Sequence, residues 1–293
     1  MLGAHYPVHL QTQWHDGDEA LLIALHARRS AASIAAWRAR HPTRPIVLVL
    51  TGTDLYRDIA HDSLAQQSLQ LADCLIVLNE LGAAALPPAL RAKARVLLQS
   101  SPAQPATRPK TKRHLRALMV GHLRDEKDPQ TYFAAARLLA DRPDILLDHI
   151  GAALDPTLGE AAQALAVQQP HYRWLGALSH ARTRARIASA HVLVHPSRME
   201  GGAHVVTEAI VSGTPVIASA IDGNLGLLGA DYAGTFAPGD AQGLARLLQQ
   251  LRNDPAMLQT LQQQCALRAP LFEPAREQAT LLATLAEFLE TAP

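Results

Sequence analysis

Short apolar runs that alternate with helical stretches restrict the fold of this chain more than any other feature. The runs are rich in Val, Ile and Leu, and they occupy residues 20–25, 46–50, 74–78, 96–98, 115–120, 145–150, 191–195 and 215–218. Strands that are apolar on both faces and alternate with amphipathic helices are typical of parallel sheets covered on both sides. The pattern therefore predicts an α/β protein with doubly wound parallel sheets.

A polar segment divides these runs into two sets. Residues 99–113, QSSPAQPATRPKTKR, contain several prolines and no apolar side chain larger than Ala, a composition typical of a linker. We predict a Rossmann-like domain over residues 1–100, a linker over 101–113, a second Rossmann-like domain over 114–272 and a C-terminal helix over 273–293. We expect the two domains to face each other across a cleft, because ligands of such sheets bind at the carboxyl ends of the strands.

Composition excludes several classes of protein. The 293 residues are 48% hydrophobic, and 27 basic side chains nearly balance 26 acidic ones, so no electrostatic feature favours nucleic acid or a membrane surface as partner. No apolar run approaches the roughly 18 residues of a membrane span, and the first residues lack the pattern of a signal peptide. Cys74 and Cys265 have no disulfide spacing, which favours a reducing compartment. We therefore expect a cytoplasmic protein; the sequence leaves its oligomeric state open.

The most informative motif follows the run at residues 191–195. There the sequence continues as PSRMEGGAH, and Glu208 and the segment SGTPV come after it. Gly201 and Gly202 at a strand-to-helix turn let a ligand approach the backbone, and the start of a helix offers free N–H groups. We expect Glu200 and Glu208 to face the same side, where two carboxylates suit a ligand rich in hydroxyls. The alternative is a solvated glutamate that follows a glycine-rich turn.

This motif resembles the E-x7-E motif of family 4 glycosyltransferases, which have the GT-B fold. Three further segments resemble the same family in the same order: VGHLRDEKD (120–128), DHIG (148–151) and WLG (174–176). A closer resemblance, over nearly the whole chain, is to the selenosugar synthases of selenoneine biosynthesis. The segments that resemble these enzymes are ALHARRSA (24–31), LTGTDLYRD (50–58), VGHLRDEKDP (120–129), YRWLG (172–176), SRMEGGAHVVTEA (197–209) and GNLGLLGADY (223–232).

The resemblance implies the substrates and the roles of several residues. Selenosugar synthases use a uridine diphosphate (UDP) sugar, here UDP-N-acetylglucosamine or UDP-glucose, and selenophosphate to form a carbon–selenium bond. Glu208 would accept hydrogen bonds from the ribose hydroxyls. Glu200, with the amides of Gly201 and Gly202, would hold the transferring sugar, and Lys127 would neutralise the leaving diphosphate.

One position in the diphosphate segment departs from the family pattern. His122 stands where the family has Arg, so we assign a second diphosphate contact to Arg124 and place Gly151 in the neighbouring substrate loop. Cations are needed here because the diphosphate gains negative charge as the glycosidic bond breaks. Enzymes with the GT-B fold need no metal for this step, and we expect neither metal nor cofactor. The sequence Asp16-Gly17-Asp18 resembles a metal-binding motif but precedes a strand, so we interpret it as a turn.

The acceptor is expected at the carboxyl ends of the first strands. His26 is the candidate catalytic residue, and the candidate acceptor ligands are Arg28, Arg29, Thr51, Gly52, Thr53 and Asp54. Selenophosphate is small and highly charged, which suits an arginine together with a nest of backbone N–H groups. The alternatives are ordinary: a solvated helix start for the arginines, a structural cap for His26, and for Asp54 a helix cap or a group that orients a cation.

A second departure concerns the start of the sequence. Its first strand is predicted at residues 8–11, which corresponds to the second strand of selenosugar synthases, so the family's first βα unit has no counterpart here. Three other functions stay open at this point. They are a family 4 hexosyltransferase with an ordinary hydroxyl acceptor, a nucleotide-sugar epimerase on the same fold, and a sugar-nucleotide binder without catalytic activity.

Overall fold

The computed structural model describes residues 1–106 and 109–289, and the chain divides into two compact units. Unit 1 comprises Met1–Ser100, Glu200–Gly202 and Leu271–Pro293, and unit 2 comprises Ser101–Met199 and Ala203–Pro270. The predicted linker groups with unit 2, and its residues 107 and 108 lie outside the described residues, as do residues 290–293 of the predicted C-terminal helix. The C-terminal segment groups with the unit at the other end of the sequence.

Unit 1 contains a parallel sheet of β1 (Leu22–Leu25), β2 (Ile46–Leu50), β3 (Cys74–Val77) and β4 (Ala94–Val96) in that order. Its α-helices are α1 (Ala31–Arg40), α2 (Ile59–His61), α3 (Ser63–Leu71) and α11 (Pro274–Leu289), with a π-helical turn at Asp54–Asp58. The strand predicted at residues 8–11 was wrong. These residues form no ladder, and Leu10 is 94% exposed, so the apolar side chains there pack on nothing that would hold a strand.

Apolar side chains cover both faces of this first sheet. On one face Trp37 and Ile34 of α1 and Leu69 of α3 pack against Leu48 and Leu50, and all five side chains are buried. On the other face the last helix supplies the cover, because Leu285 of α11 packs against Val47 and Ile76. At the ends of that contact Arg95 pairs with Glu287 at 2.7 Å, and Ser100 donates to Glu277.

Unit 2 contains a parallel sheet in which the strand order reverses. The order is β10 (Thr235–Phe236), β9 (Val216–Ser219), β8 (Val192–His195), β5 (Leu115–Val120), β6 (Ile145–Ile150) and β7 (Tyr172–Trp174). The helices of this unit are α4 (Pro129–Leu138), α5 (Pro156–Gln168), α6 (His180–Ser189), α7 (His204–Val211), α8 (Asp222–Leu228), α9 (Ala241–Asn253) and α10 (Pro255–Arg268).

This order is that of a Rossmann sheet, and the chain crosses from one side to the other between β5 and β8. Ligands of open α/β sheets bind outside the carboxyl ends of the strands at such a switch point. The predicted parallel sheets and the α/β class are confirmed. Among the described residues, no helix is long and apolar enough to cross a membrane.

Candidate active site

The loops after β5 and β6 bring together the predicted diphosphate residues of unit 2. Nδ1 of His122 accepts a hydrogen bond from the Ala152 N–H at 3.0 Å. In a neutral ring Nε2 then carries the proton and is a donor. A side chain on Gly151 would overlap the Gly121 carbonyl, so this glycine is required for the close approach of the two loops.

A buried histidine stabilises the first of these two loops through a hydrogen bond. His149 of β6 is fully buried, and its Nε2 donates to the Gly121 carbonyl at 3.2 Å. Its Nδ1 lies 3.2 Å from the Tyr172 hydroxyl, which can donate to it. Burial lowers the pKa of His149 to about 4. The ring is therefore neutral near pH 7 and holds the loop through a single directed hydrogen bond.

The two predicted cations of this region lie in and beside a short 3-10 turn, Asp125–Lys127. A Cβ on Gly121 would lie 3.4 Å from Cγ of Lys127, so the lysine stem runs across that glycine. Arg124 precedes the turn, is about half exposed, and its Nε lies 4.0 Å from Oε2 of Glu126. A lysine and an arginine therefore lie beside the loop after β5, and their contact with a diphosphate stays a prediction.

An arginine that the sequence analysis missed fixes this turn. Asp128 has a left-handed backbone (φ 46°), caps α4, and accepts a hydrogen bond from the Thr131 hydroxyl at 2.7 Å. Arg198, in the loop after β8, contacts both carboxylate oxygens of Asp128 at 3.2 and 3.3 Å, and its N–H donates to the Glu126 carbonyl. Arg198 thus joins the loops after β5 and β8 on either side of the switch point.

Glu208 of α7 is a buried carboxylate of unit 2. It is 4% exposed, and three cationic or potentially cationic groups approach its Oε1: His180 Nε2 at 2.6 Å, His204 Nδ1 at 3.6 Å and Arg184 Nε at 3.8 Å. Its Oε2 makes no hydrogen bond or ion pair with any described residue. One oxygen is therefore held by the protein, and the other has no partner among the described residues.

Helix α7 begins at His204, so Glu200 lies in an irregular segment before the helix, and helical spacing does not relate it to Glu208. The segment Glu200–Gly202 groups with unit 1, whereas Glu208 belongs to unit 2. A spacing of eight residues across a helix start carries no fixed geometry, because the periodicity holds only inside the helix.

In unit 1, His26 ends β1 in a conformation that is rare for any residue but glycine. Its φ is 73°, and the side chain is buried. Nδ1 accepts from the Arg29 N–H at 3.4 Å, so Nε2 of the neutral ring donates to the Thr53 hydroxyl at 3.1 Å. Carboxylate oxygens of Asp54 and Asp58 lie 3.9 and 3.8 Å from the ring. A left-handed non-glycine residue is costly and is concentrated at functional sites.

The predicted N–H nest for the acceptor is already occupied by Asp54. Its Oδ1 accepts from the N–H groups of Thr51 and Gly52 at 2.8 and 2.9 Å, and its Oδ2 accepts from the Ala27 N–H at 2.9 Å. Asp54 is fully buried. The assignment of Thr51, Gly52 and Asp54 to acceptor binding is therefore corrected. The three residues bind one another, and Asp54 ties the loop after β1 to the loop after β2.

The glycines of the EGG segment serve close backbone contacts. A side chain on Gly201 would overlap the Thr51 carbonyl, and a Cβ on Gly52, whose φ is 135°, would lie 2.7 Å from the Gly201 nitrogen. A Cβ on Gly202 would lie 2.7 Å from Cβ of Leu78. Glycine at these positions is explained by packing within unit 1, a role that the sequence analysis did not anticipate.

Asn79 is a further residue that the sequence analysis missed. It follows β3, is fully buried, and its Nδ2 donates to the Gly201 carbonyl at 2.7 Å and to the Tyr56 hydroxyl at 3.0 Å. A polar residue directly after a buried strand is a recognisable signal, and the sequence CLIVLNE contains it. His180 and Arg184 gave no such signal, because both lie in an unremarkable basic helix.

The two candidate arginines of unit 1 differ in their surroundings. Nε of Arg28 pairs with Asp62 at 2.9 Å. Arg29 is exposed, and its guanidinium forms no ion pair with any described residue. Of the two, Arg29 is the cation that remains available to a ligand. Within residues 1–106 and 109–289, no three His, Cys, Asp or Glu side chains come close enough together to hold a metal ion.

Several solved structures have the same fold as this chain. Sucrose-phosphate synthase from Thermosynechococcus elongatus is 23% identical, with a TM-score of 0.74 over 94% of this chain and 74% of its own. Anabaena Alr3699/HepE in complex with UDP and glucose is 17% identical, with a TM-score of 0.72 over 91% and 77%. S. aureus TarM in complex with UDP and alpha-GlcNAc-glycerol is 11% identical, with a TM-score of 0.73 over 92% and 55%, so the chain spans about half of TarM. No curated protein matches the chain significantly.

Two units with parallel α/β sheets, the second in the Rossmann strand order, and these structural neighbours define the GT-B fold. The model of the family "Glycosyl transferases group 1" matches residues 100–268, more than half of the sequence. The chain belongs to this family, and its class of reaction is glycosyl transfer from a nucleotide sugar.

Proposed function

We propose that this protein is a selenosugar synthase, which transfers a hexose from a UDP-sugar to selenophosphate without a metal or cofactor. The observation that carries the proposal is the set of sequence segments shared with selenosugar synthases, which lie in both units and include GNLGLLGADY. The family and the fold support only the coarser statement of a nucleotide-sugar glycosyltransferase.

The donor half of the proposal rests on unit 2. The complexes of HepE and TarM contain UDP, which supports UDP as the nucleotide here. We assign the ribose hydroxyls to the uncommitted Oε2 of Glu208. The diphosphate is assigned to Lys127, Arg124 and the Nε2–H of His122, which lie at the carboxyl end of β5 beside the switch point.

The proposed reaction forms one bond at the anomeric carbon and breaks one. Selenium attacks that carbon, the bond to the diphosphate oxygen breaks, and its electron pair leaves with UDP. The diphosphate gains charge in this step, which is why cations beside it lower the barrier. Hydrolysis of the selenium–phosphorus bond then leaves the selenosugar and phosphate. We assign the acceptor's negative charge to Arg29. We assign His26 to a hydrogen bond with the transferring sugar, which takes the place of the contact between its Nε2 and the Thr53 hydroxyl.

A specific observation favours a hydroxyl acceptor as the second candidate. Because Asp54 occupies the N–H groups of Thr51 and Gly52, those amides are not offered to a small anion. An ordinary hydroxyl acceptor needs no such nest. Arg29 is then a solvated surface residue, and the two candidates differ in what its removal does.

The test compares two arginine substitutions in a transfer assay with UDP-glucose or UDP-N-acetylglucosamine. Arg29→Met should raise the KM for selenophosphate at least tenfold, because a charge-assisted contact to the acceptor is lost. Arg28→Met removes the same charge one residue away, from a side chain already paired with Asp62, and should change that KM less than twofold. UDP affinity should stay the same in both variants.

Three results would contradict the proposal. Transfer to a hydroxyl acceptor with no reaction of selenophosphate would establish the second candidate. A lack of UDP-sugar turnover with either acceptor, combined with intact UDP binding, would favour the non-catalytic binder. Interconversion of the UDP-sugar without any acceptor would instead favour the epimerase.

A further inference from the structure

A cavity of about 570 Å³ lies in unit 2 at the edge of the sheet opposite the candidate active site. His114 and His191, which directly precede β5 and β8, contribute to its wall. The active-site loops follow the carboxyl ends of the same strands, and β5 alone has six residues, so roughly 20 Å of strand separates the two places. The cavity is therefore not part of the nucleotide-sugar site.

Some of the described residues that line this cavity carry basic side chains, and none of them carries a carboxylate. The basic members are Lys110, His114, Arg116 and His191, and the remaining wall is neutral: Gln104, Pro105, Ala106, Pro109, Thr111, Ala185, Ala188 and Ser189. The charge of Arg116 is offset by Asp148 at 2.8 Å, a carboxylate that Arg173 also binds. Lys110 is therefore the lining cation for which the described part of the chain provides no acidic partner.

Lys110 is held at the cavity by a neutral contact. Its Nζ donates to the Thr214 hydroxyl at 3.2 Å, and that hydroxyl in turn donates to the Ile187 carbonyl at 2.9 Å. Burial lowers the pKa of Lys110 to about 8. A largely buried ammonium without a counter-ion is unfavourable, and an anion in the cavity would relieve that cost.

The two histidines have different capacities to bind a ligand. His191 is committed at both nitrogens, because Nδ1 accepts from the Arg116 N–H at 3.0 Å and Nε2 donates to the Thr111 carbonyl at 2.8 Å. The ring of His114 lies 3.5 Å from the Arg116 guanidinium. Burial lowers the pKa of His114 most, and the positive charges of Arg116, Arg252 and Arg173 lower it further, whereas the negative charge of Asp148 raises it. An anion beside His114 would favour its protonated form, which is a donor at both nitrogens.

We propose that this cavity is a second ligand site, which binds a phosphate group, either free phosphate or the phosphate of a small metabolite. The ammonium of Lys110 supplies the charge, and the guanidinium of Arg116 and the ring of His114 supply further donors. The volume exceeds that of one phosphate, and the neutral wall of alanines and prolines accommodates an organic remainder. Because the site lies away from the sugar-transfer residues, its ligand is an effector and not a substrate.

The experiment titrates inorganic phosphate into the protein saturated with UDP, so that the nucleotide site is filled, and follows the heat of binding. Lys110→Met should weaken phosphate binding at least tenfold, because a charge-assisted contact is lost. His114→Gln should weaken it as well. Lys112→Met is the matched control, since Lys112 is exposed, lies two residues away and does not line the cavity; it should change the affinity less than twofold.

Binding should also take up protons, since the anion raises the pKa of Lys110 and of His114. Titration at pH 7.5 to 8 in buffers of different ionisation enthalpy measures that uptake, which Lys110→Met should reduce.

Tighter binding of glycerol 3-phosphate than of inorganic phosphate would identify a metabolite as the ligand, and equal binding would identify free phosphate. Undetectable phosphate binding at millimolar concentration, or equal loss in all three variants, would overturn the proposal. Neither result bears on the sugar-transfer assay.

Discussion

At the scale of single residues, Glu208 shows how a buried carboxylate can be prepared for a ligand. His180, His204 and Arg184 all approach Oε1, so the side chain is oriented from one side only. An ionised carboxylate accepts hydrogen bonds at both oxygens, and each bond to a charged acceptor contributes roughly 1.5–3 kcal/mol. The free Oε2 therefore carries most of the contribution that we assign to Glu208 in nucleotide binding.

We predict that Glu208→Gln raises the Kd for UDP at least tenfold while the Tm changes little, because the amide keeps the shape of the side chain and loses its charge. Calorimetric titration of UDP measures the first quantity and thermal unfolding the second. His180→Ala is the control: its ring is 72% exposed and binds the other oxygen, so UDP affinity should not fall. An unchanged Kd in Glu208→Gln would remove this residue from the nucleotide site.

The residue scale also shows where sequence reasoning failed. The basic residues after β5 were predictable, because Lys127, Arg124 and His122 follow an apolar run in a segment with a family pattern. The partner of a given N–H group was not predictable. Asp54 accepts from three backbone amides only because the loops after β1 and β2 meet, and that meeting depends on the conformation of both loops.

At the scale of elements, β6 couples the stability of the sheet to pH through His149. Its pKa in the folded protein is about 4, against 6.5 when the residue is solvated, so the unfolded chain binds a proton more readily between these values. The free energy of unfolding should therefore fall as the pH drops from about 6.5 to 4. A shift of this size corresponds to about 3 kcal/mol.

The prediction is tested by chemical denaturation at pH 7 and pH 5 with the wild type and His149→Phe. The wild type should lose stability at pH 5, and the variant should lose less, because phenylalanine does not titrate and fits among Tyr132, Phe133 and Tyr172. His171, which is also buried and whose Nε2 donates to the Ala136 carbonyl of α4, serves as the control position with His171→Phe. Equal pH dependence in wild type and His149→Phe would contradict the assignment.

The positions of strands were predicted well where both faces of the strand are buried. β2, β5 and β6 coincide with apolar runs because both faces of these strands are covered, and such strands need continuous apolar sequence. β10 has two residues, which is too short to give a pattern, and β4 begins two residues before the predicted run. At residues 8–11 the apolar side chains are not matched by any partner strand, which sequence alone does not reveal.

At the scale of the whole molecule, unit 1 is assembled from the two ends of the sequence. Helix α11 covers one face of the first sheet, with Leu285 2% exposed against Val47, Ile76 and Leu78. The sequence pattern predicted the helix, but its place in unit 1 depends on contacts between residues about 200 positions apart, as in the pair Arg95 and Glu287. Local periodicity contains no information of that kind.

We predict that Leu285→Ala lowers the free energy of unfolding by about 2–4 kcal/mol, since it leaves a cavity between α11 and the sheet. Leu282→Ala is the matched control in the same helix, because Leu282 is only half-buried and does not belong to that cluster. Urea unfolding of both variants measures the difference. A loss in Leu282→Ala as large as in Leu285→Ala would show that the helix does not depend on this contact.

The position of α11 also orders events during synthesis. The strands of the first sheet emerge from the ribosome early. All of unit 2 follows before Leu285 emerges. Until then the nascent chain presents Val47, Ile76 and Leu78 with no helix over them, a surface of the kind that chaperones bind and that aggregates form around. Unit 2, by contrast, can complete its sheet before Leu285 emerges, because its last strand, Thr235–Phe236, precedes that residue in the sequence. The half that is translated first is therefore the half that finishes folding last.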